Sequence, residues 1–199
     1  MAETNSTMME LGSKAHAFSL PDYNPLTVQS EFSWTTQRQQ GLLVAFICNH
    51  CPYVVHLAER LAELGNQAQR QGLDVVAINA NDVNNYVADS PENMAKFARQ
   101  YAFEFPYLFD EDQQVAKAYQ AACTPDFFLF DQQAALVYRG QFDASRPANG
   151  ETVTGKDLQL AIDALMAGQA LTNDQIASVG CNIKWIPGNE PDYYGKTSA

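Results

Sequence analysis

Cys48 and Cys51 stand two residues apart in Ile47-Cys48-Asn49-His50-Cys51-Pro52, a spacing that suits two kinds of chemistry. Two thiolates so placed make half of a zinc site. The same spacing also lets the second thiol reach a mixed disulfide formed on the first. A zinc site needs a second pair of ligands, yet Cys123 and Cys181 are isolated and His16 and His56 have no paired spacing. Thiol–disulfide chemistry is therefore the stronger reading, with no metal and no cofactor expected. If a helix begins at Pro52, its unpaired N–H groups and dipole favour an anion, and a cysteine there falls from a pKa of about 8.5 to roughly 3.5–7.5. The expectation is that Cys48 is the attacking thiolate, Cys51 resolves, and His50 between them adds positive charge.

The elements that must position this pair can be read from the flanking pattern. Gly41 to Ile47 is a continuous apolar run of strand length, the kind buried on both faces of a parallel sheet. After Pro52, Val54, Leu57, Leu61, Leu64 and Ala68 recur at helical steps until Gly72, and Leu73 to Asn79 reads as a second buried strand. Strand, helix, strand makes a crossover unit and an α/β class. Ser90-Pro91-Glu92 predicts a helix capped by Ser90 and running to about Tyr101, and a shorter one covers Gln113 to Tyr119. Asp126–Phe130 and Ala135–Arg139 are strands joined at hairpin length, which makes the sheet mixed. Thr154 and Asp157 resemble a capping pair ahead of a last helix through Leu158, Ile162, Leu165 and Met166. Beyond Leu171 no period is sustained. The expected organisation is a polar segment over 1–10, one domain over 11–170, and a tail over 171–199 packed on or near it.

Composition sets the outer limits. With 199 residues, 46% hydrophobic and 18% charged, the chain can build one core and lies far from a disordered composition. Twelve Lys and Arg against 23 Asp and Glu leave a net charge of −11, which repels phosphate backbones and anionic bilayers, so neither nucleic acid nor membrane is an expected partner. The first residues lack the basic-then-apolar order of a secretory signal, and four cysteines are too few to staple a secreted scaffold, so a cytoplasmic setting is expected.

The segments C-N-H-C-P-Y-V at 48–54, V-V-A-I-N at 75–79, D-S-P-E-N-M at 89–94, F-P-Y-L-F-D at 105–110 and C-T-P-D-F-F-L-F-D at 123–131 resemble the thioredoxin superfamily. Within it they are most similar to the largely uncharacterised peroxiredoxin-like branch of the AhpC/TSA type, over about residues 11–187. The resemblance implies a thioredoxin-like fold, with a mixed central sheet flanked by helices, an N-terminal extension and a C-terminal tail. It implies that Thr124-Pro125 is the cis-proline step facing the active cysteines, and that the backbone there pairs with an extended substrate next to Cys48. By the same carry-over, Cys123 lies near Cys48, either as a third redox thiol or as a buried small hydrophobe. Cys181 sits in a Gly-Cys-Asn-Ile-Lys-Trp segment that the branch shares. It is either a resolving thiol or part of a segment whose Ile183, Trp185 and Ile186 only pin the tail. In peroxiredoxins the peroxidatic cysteine follows a proline by seven residues and a threonine or serine by three. Cys51, which aligns with it, has Val44 and Cys48 there, and Cys48 has Gly41 and Ala45, so neither register supplies the peroxide pocket.

Other residues are weighed against plainer roles. Arg146 is a candidate for steering an anionic substrate or supporting a thiolate, whereas Arg139 reads as a solvated residue after a strand. Asp126 follows the proline and reads as a turn cap more than a proton acceptor. Trp34 reads as core. Asn79 to Tyr86 lacks the alternating acidic ligands and glycine of a calcium loop, and reads as a loop near the active face. The expected function is thiol–disulfide oxidoreduction on protein or small-molecule thiols and disulfides. The alternatives are a peroxide reductase and a non-catalytic thiol-, metal- or protein-binding module, with Cys48, Cys51 and His50 as the metal carrier's ligands.

Overall fold

All five residues of the Leu42–Phe46 run are buried, as a strand covered on both faces requires. The computed structural model describes residues 3–35 and 40–196, so the outer ends of the two terminal segments, 1–2 and 197–199, lie outside the described residues. In chain order the elements are β1 (Glu3–Asn5), β2 (Phe18–Pro21), β3 (Glu31–Trp34), β4 (Leu42–Phe46), α1 (Pro52–Arg70), β5 (Asp74–Asn79) and α2 (Pro91–Tyr101). There follow β6 (Tyr107–Phe109), α3 (Gln114–Ala118), β7 (Cys123–Thr124), β8 (Asp126–Phe130), β9 (Leu136–Gly140), α4 (Lys156–Met166) and β10 (Val179–Asn182).

The central sheet runs β6-β5-β4-β8-β9, with β4, β5 and β6 parallel and β8 and β9 antiparallel to their neighbours. It is the mixed sheet that the sequence predicts. Alternation along β4 divides the core in two. Leu43, Ala45 and Ile47 join Leu57, Leu61 and Leu64 of α1, Phe97 of α2 and Ile162 of α4 on one face. On the other, Leu42, Val44 and Phe46 meet Phe18, Trp34 and Tyr119, together with Ile183 and Trp185 from beyond β10. Trp34 is thus core, as expected.

Two local expectations change. Ser90 occupies the cap of α2, but its hydroxyl caps nothing. The cap of α4 is Gly155, at φ +65°, while Thr154 Oγ1 accepts from Lys156 N–H at 3.3 Å and the Asp157 carboxylate accepts from Gln141 instead. The capping pair is displaced because Asp143 reaches across from after β9 and accepts the N–H groups of Thr154 and Gly155, both at 2.6 Å.

Tail residues that show no periodicity form β10, which lies between β1 and β7 in a second, antiparallel sheet. Its pairing sets Cys181 opposite Thr124 and Asn182 opposite Cys123. Among the described residues no helix is long and apolar enough to cross a membrane.

Packing of α1 is tight enough to test. A Cβ on Gly65 would lie 2.5 Å from the ring of Phe105, which is itself buried and stacked on Phe103 at 4.5 Å between centroids. Gly65→Ala should therefore destabilise the fold by about 1–3 kcal/mol in chemical denaturation, despite the better helix propensity of alanine.

Candidate active site

The site forms where β4 ends and α1 begins. Ile47 extends the pairing with β5 through its N–H to Ile78 O at 2.9 Å, the chain then turns through Cys48-Asn49-His50, and Cys51 takes the cap position with Pro52 in the first turn. Thr124-Pro125 is a cis peptide, as the resemblance implies. Thr124 is the residue that touches both sulfurs: its Oγ1 lies 3.3 Å from Cys48 Sγ, and its carbonyl oxygen lies 3.1 Å from Cys51 Sγ.

A third sulfur completes the group. Cys181 Sγ lies 2.8 Å from Cys51 Sγ, and Cys51 is also the largest influence on the neighbouring Cys48 thiol. No disulfide joins any of the four cysteines. Cys51 is therefore the central member of a three-sulfur row. The backbone beside Pro125, expected to pair with substrate, is occupied by the chain's own β10. The tail is docked and its thiol reaches the site, so the two readings of Cys181 are compatible.

Within this row the surroundings lower the pKa of Cys51 and raise that of Cys48. Cys51 is held far below the ordinary thiol range first by its hydrogen bond from Cys181, then by that from Cys48, with the N–H groups of Val54 and Cys181 adding to them against burial. Cys48 is raised well above that range by its hydrogen bond to Cys51, by burial, and by the negative charges of Asp89 and Cys51. Reasoning from the helix terminus placed the thiolate on the first cysteine. In the structure the middle sulfur has both neighbouring thiols as partners, which draws Cys51 down and pushes Cys48 up.

His50 pairs with Asp89, Nδ1 to Oδ2 at 2.7 Å, and stacks on Tyr86, with a ring nitrogen within 4.8 Å of Cys48 Sγ. Asp89 is fully buried and also accepts from Asn49 N–H at 2.8 Å, His50 N–H at 3.3 Å and Asn81 Nδ2 at 2.7 Å. Sequence reasoning missed Asp89 as a site residue; the one signal was its place in the D-S-P-E-N-M segment. The Asn79 loop does lie at the site, with Asn79 and Asn81 both holding residue 89. A ligand atom from each of Cys48, His50 and Asp89 falls within 4.8 Å of the others, so these three are the residues that could hold a metal ion. The expected carrier set of Cys48, Cys51 and His50 is thus replaced by one with Asp89, whose oxygens are engaged by four N–H or ring-nitrogen partners.

Cys123 is buried on β7, its thiol directed to Pro125 O at 3.5 Å and Ser178 O at 4.0 Å, away from the row. Burial, then Asp126 and Cys51, raise it well above the ordinary thiol range, which favours the buried-hydrophobe reading. Arg146 is half-buried beside Pro125, with its guanidinium on the carbonyls of Asp143 and Ser145 and on Gln141 Oε1, all at 2.7 Å. Arg139 is not a solvated surface residue, for it bonds Met9 O at 2.8 Å and Gln175 Oε1 at 2.9 Å, tying both terminal segments to β9.

Residues 11–139 match the AhpC/TSA family. The chain belongs to the AhpC/TSA family. Thiol-disulfide oxidoreductase ResA of Geobacillus thermodenitrificans is 29% identical over 133 residues, covering 67% of this chain and 70% of that protein. The crystal structure of an uncharacterized conserved protein from Geobacillus kaustophilus superposes with a TM-score of 0.88 at 45% identity, over 94% of this chain and 98% of that one. The thioredoxin domain of a thiol-disulfide oxidoreductase from Bacteroides vulgatus, at 16% identity, TM-score 0.59 and coverage of 79% and 99%, shares the thioredoxin-like fold.

In this AhpC/TSA chain Asp126 is not a turn cap: it lies within β8, opposite Phe46, with both carboxylate oxygens buried and no hydrogen bond of normal geometry to either. Burial pushes its carboxyl up to about 7, offset only in part by the hydroxyls of Ser6 and Ser178 and the N–H groups of Ala122 and Phe127. Between the ordinary carboxyl range near 4 and that value, the unfolded chain has released this proton while the folded one retains it. Stability therefore falls as pH rises through that window, by up to about 1.4 kcal/mol per pH unit, and is flat on either side. Asp126→Asn should remove this slope, so urea midpoints of the two proteins should converge near pH 4 and diverge in favour of the variant by pH 8. A second expectation concerns Cys48: Asp89→Asn removes a like charge, and the midpoint of its alkylation against pH should shift down.

Proposed function

We propose that the chain is a thiol–disulfide oxidoreductase acting on protein or small-molecule disulfides and thiols. The observation that carries this reading is the convergence of both sulfurs on Thr124 at the start of α1, Cys48 Sγ at 3.3 Å from its Oγ1 and Cys51 Sγ at 3.1 Å from its carbonyl oxygen. The ResA relative supports it. Both cysteines are buried, and Cys48, the first of the pair, is taken as the attacking group. Cys48 attacks as its thiolate once its proton is lost, and Cys51 acts as resolver.

The Cys48 thiolate attacks one sulfur of a substrate disulfide and expels the other as a thiolate, leaving a mixed disulfide. Cys51, once deprotonated, attacks Cys48 Sγ and expels the second substrate sulfur. The substrate gains two electrons and the protein is left with a Cys48–Cys51 disulfide, which a dithiol donor must reduce. Val55 in the first turn of α1 and Tyr86 and Val87 ahead of α2 are exposed and apolar, which suits contact with a protein substrate. Four cysteines used in this way, and not as a disulfide framework, suit a reducing compartment such as the cytoplasm.

Purified protein should reduce a model protein disulfide at the expense of dithiothreitol. Cys48→Ser should lower the rate by roughly 100-fold or more, and Cys51→Ser should accumulate a mixed disulfide on Cys48 visible by mass. Full activity in Cys48→Ser would end the proposal.

Peroxide reduction is the second reading, favoured by the charge on Cys51, the position that aligns with the family's peroxidatic cysteine. Against it, Val44 and Cys48 stand where the pocket's proline and hydroxyl belong. Peroxide consumption no faster than that of free cysteine removes this reading.

A further inference from the structure

Cys51 has two sulfur partners, and the second comes from the tail. Cys181 Sγ at 2.8 Å is about 0.8 Å beyond a covalent S–S bond, so a Cys51–Cys181 disulfide needs only a small displacement. The tail is built to hold it there. β10 pairs with β1 on one side and β7 on the other, and β10 passes so close to β7 that a Cβ on Gly180 would lie 2.1 Å from Thr124 O. Just after it, Lys184 N–H donates to Asn81 Oδ1 and Lys184 O accepts from Asp82 N–H, each at 2.8 Å, and Ile183 and Trp185 enter the core.

We propose that Cys181 is a third redox sulfur: after Cys48 and Cys51 have formed their disulfide, it attacks Cys51 and moves the bond to Cys51–Cys181, returning Cys48 as a thiolate. The proposal rests on the oxidoreductase reading and extends it. The S–S bond between Cys48 and Cys51 breaks, a new one forms between Cys51 and Cys181, and the proton released by Cys181 is available to Cys48. No electrons are gained or lost, so no further oxidant is involved. The oxidised pair is then stored between the helix start and the tail strand, and Cys48 is left reduced.

The electrostatics run in the same direction. Cys181 is raised above the ordinary thiol range by its hydrogen bond to Cys51, by burial and by the charge on Cys51, while the Lys184 ammonium lowers it. Once Cys51 is bonded to Cys48 it carries no charge, so two of the three opposing influences vanish when the target disulfide exists.

The test is to oxidise the full chain with one equivalent of diamide, quench in acid, alkylate in denaturant near pH 6, and map disulfides by peptide mass. In wild type a measurable fraction of the oxidised protein should hold Cys51–Cys181 with Cys48 alkylated. In Cys181→Ser, Cys48 should be wholly protected. Cys48→Ser should form Cys51–Cys181 directly. Gly180→Ala, which pushes β10 from Thr124 without touching a sulfur, should reduce the Cys51–Cys181 fraction, with circular dichroism confirming that it folds. Turnover of the model disulfide separates the two levels of the argument. Wild type that turns over while Cys48 stays as protected as in Cys181→Ser overturns the relay alone, and wild type with no turnover overturns the reading on which it rests.

Discussion

A thiolate buried under the first turn of a helix costs several kcal/mol unless donors surround it, and much of this chain is arranged to supply them. Cys51 is fully buried and takes hydrogen bonds from Cys48 and Cys181, with the N–H groups of Val54 and Cys181 beside it. Two of those donors belong to Cys181, 130 residues away in sequence. The acidity of the C-x-x-C motif thus depends on a strand at the far end of the chain, and β10 in turn depends on β1, β7, the Asn79 loop and the core around Trp185.

The surroundings also keep that charge single. Asp89, fixed by His50, Asn49 and Asn81, lies where it disfavours a second thiolate on Cys48, and Asp126 does the same for Cys123. Repulsion between like charges in a poorly solvated site separates the sulfurs by role. Cys51 is drawn down, whereas Cys48, Cys181 and Cys123 are pushed up.

The sequence by itself determined whatever follows from local pattern. The buried strand at Leu42–Phe46, the amphipathic α1, the β8–β9 hairpin and the strand-to-helix setting of Cys48 and Cys51 were all legible, because side-chain burial imprints a period of two or 3.6 and turns demand particular residues. The place of Thr124-Pro125 came through the resemblance. Tertiary structure alone decided the partner of Cys51, the seat of the charge, the role of Asp89 and the position of Asp126 inside β8. The pairing of β10 with β7 is made by backbone N–H and C=O groups common to every residue, so Val179–Asn182 carries no pattern that names its partner. A pKa, likewise, is set by whichever groups the fold brings within a few ångströms, and the thiol that most acidifies Cys51 arrives from a tail with no periodicity to announce it.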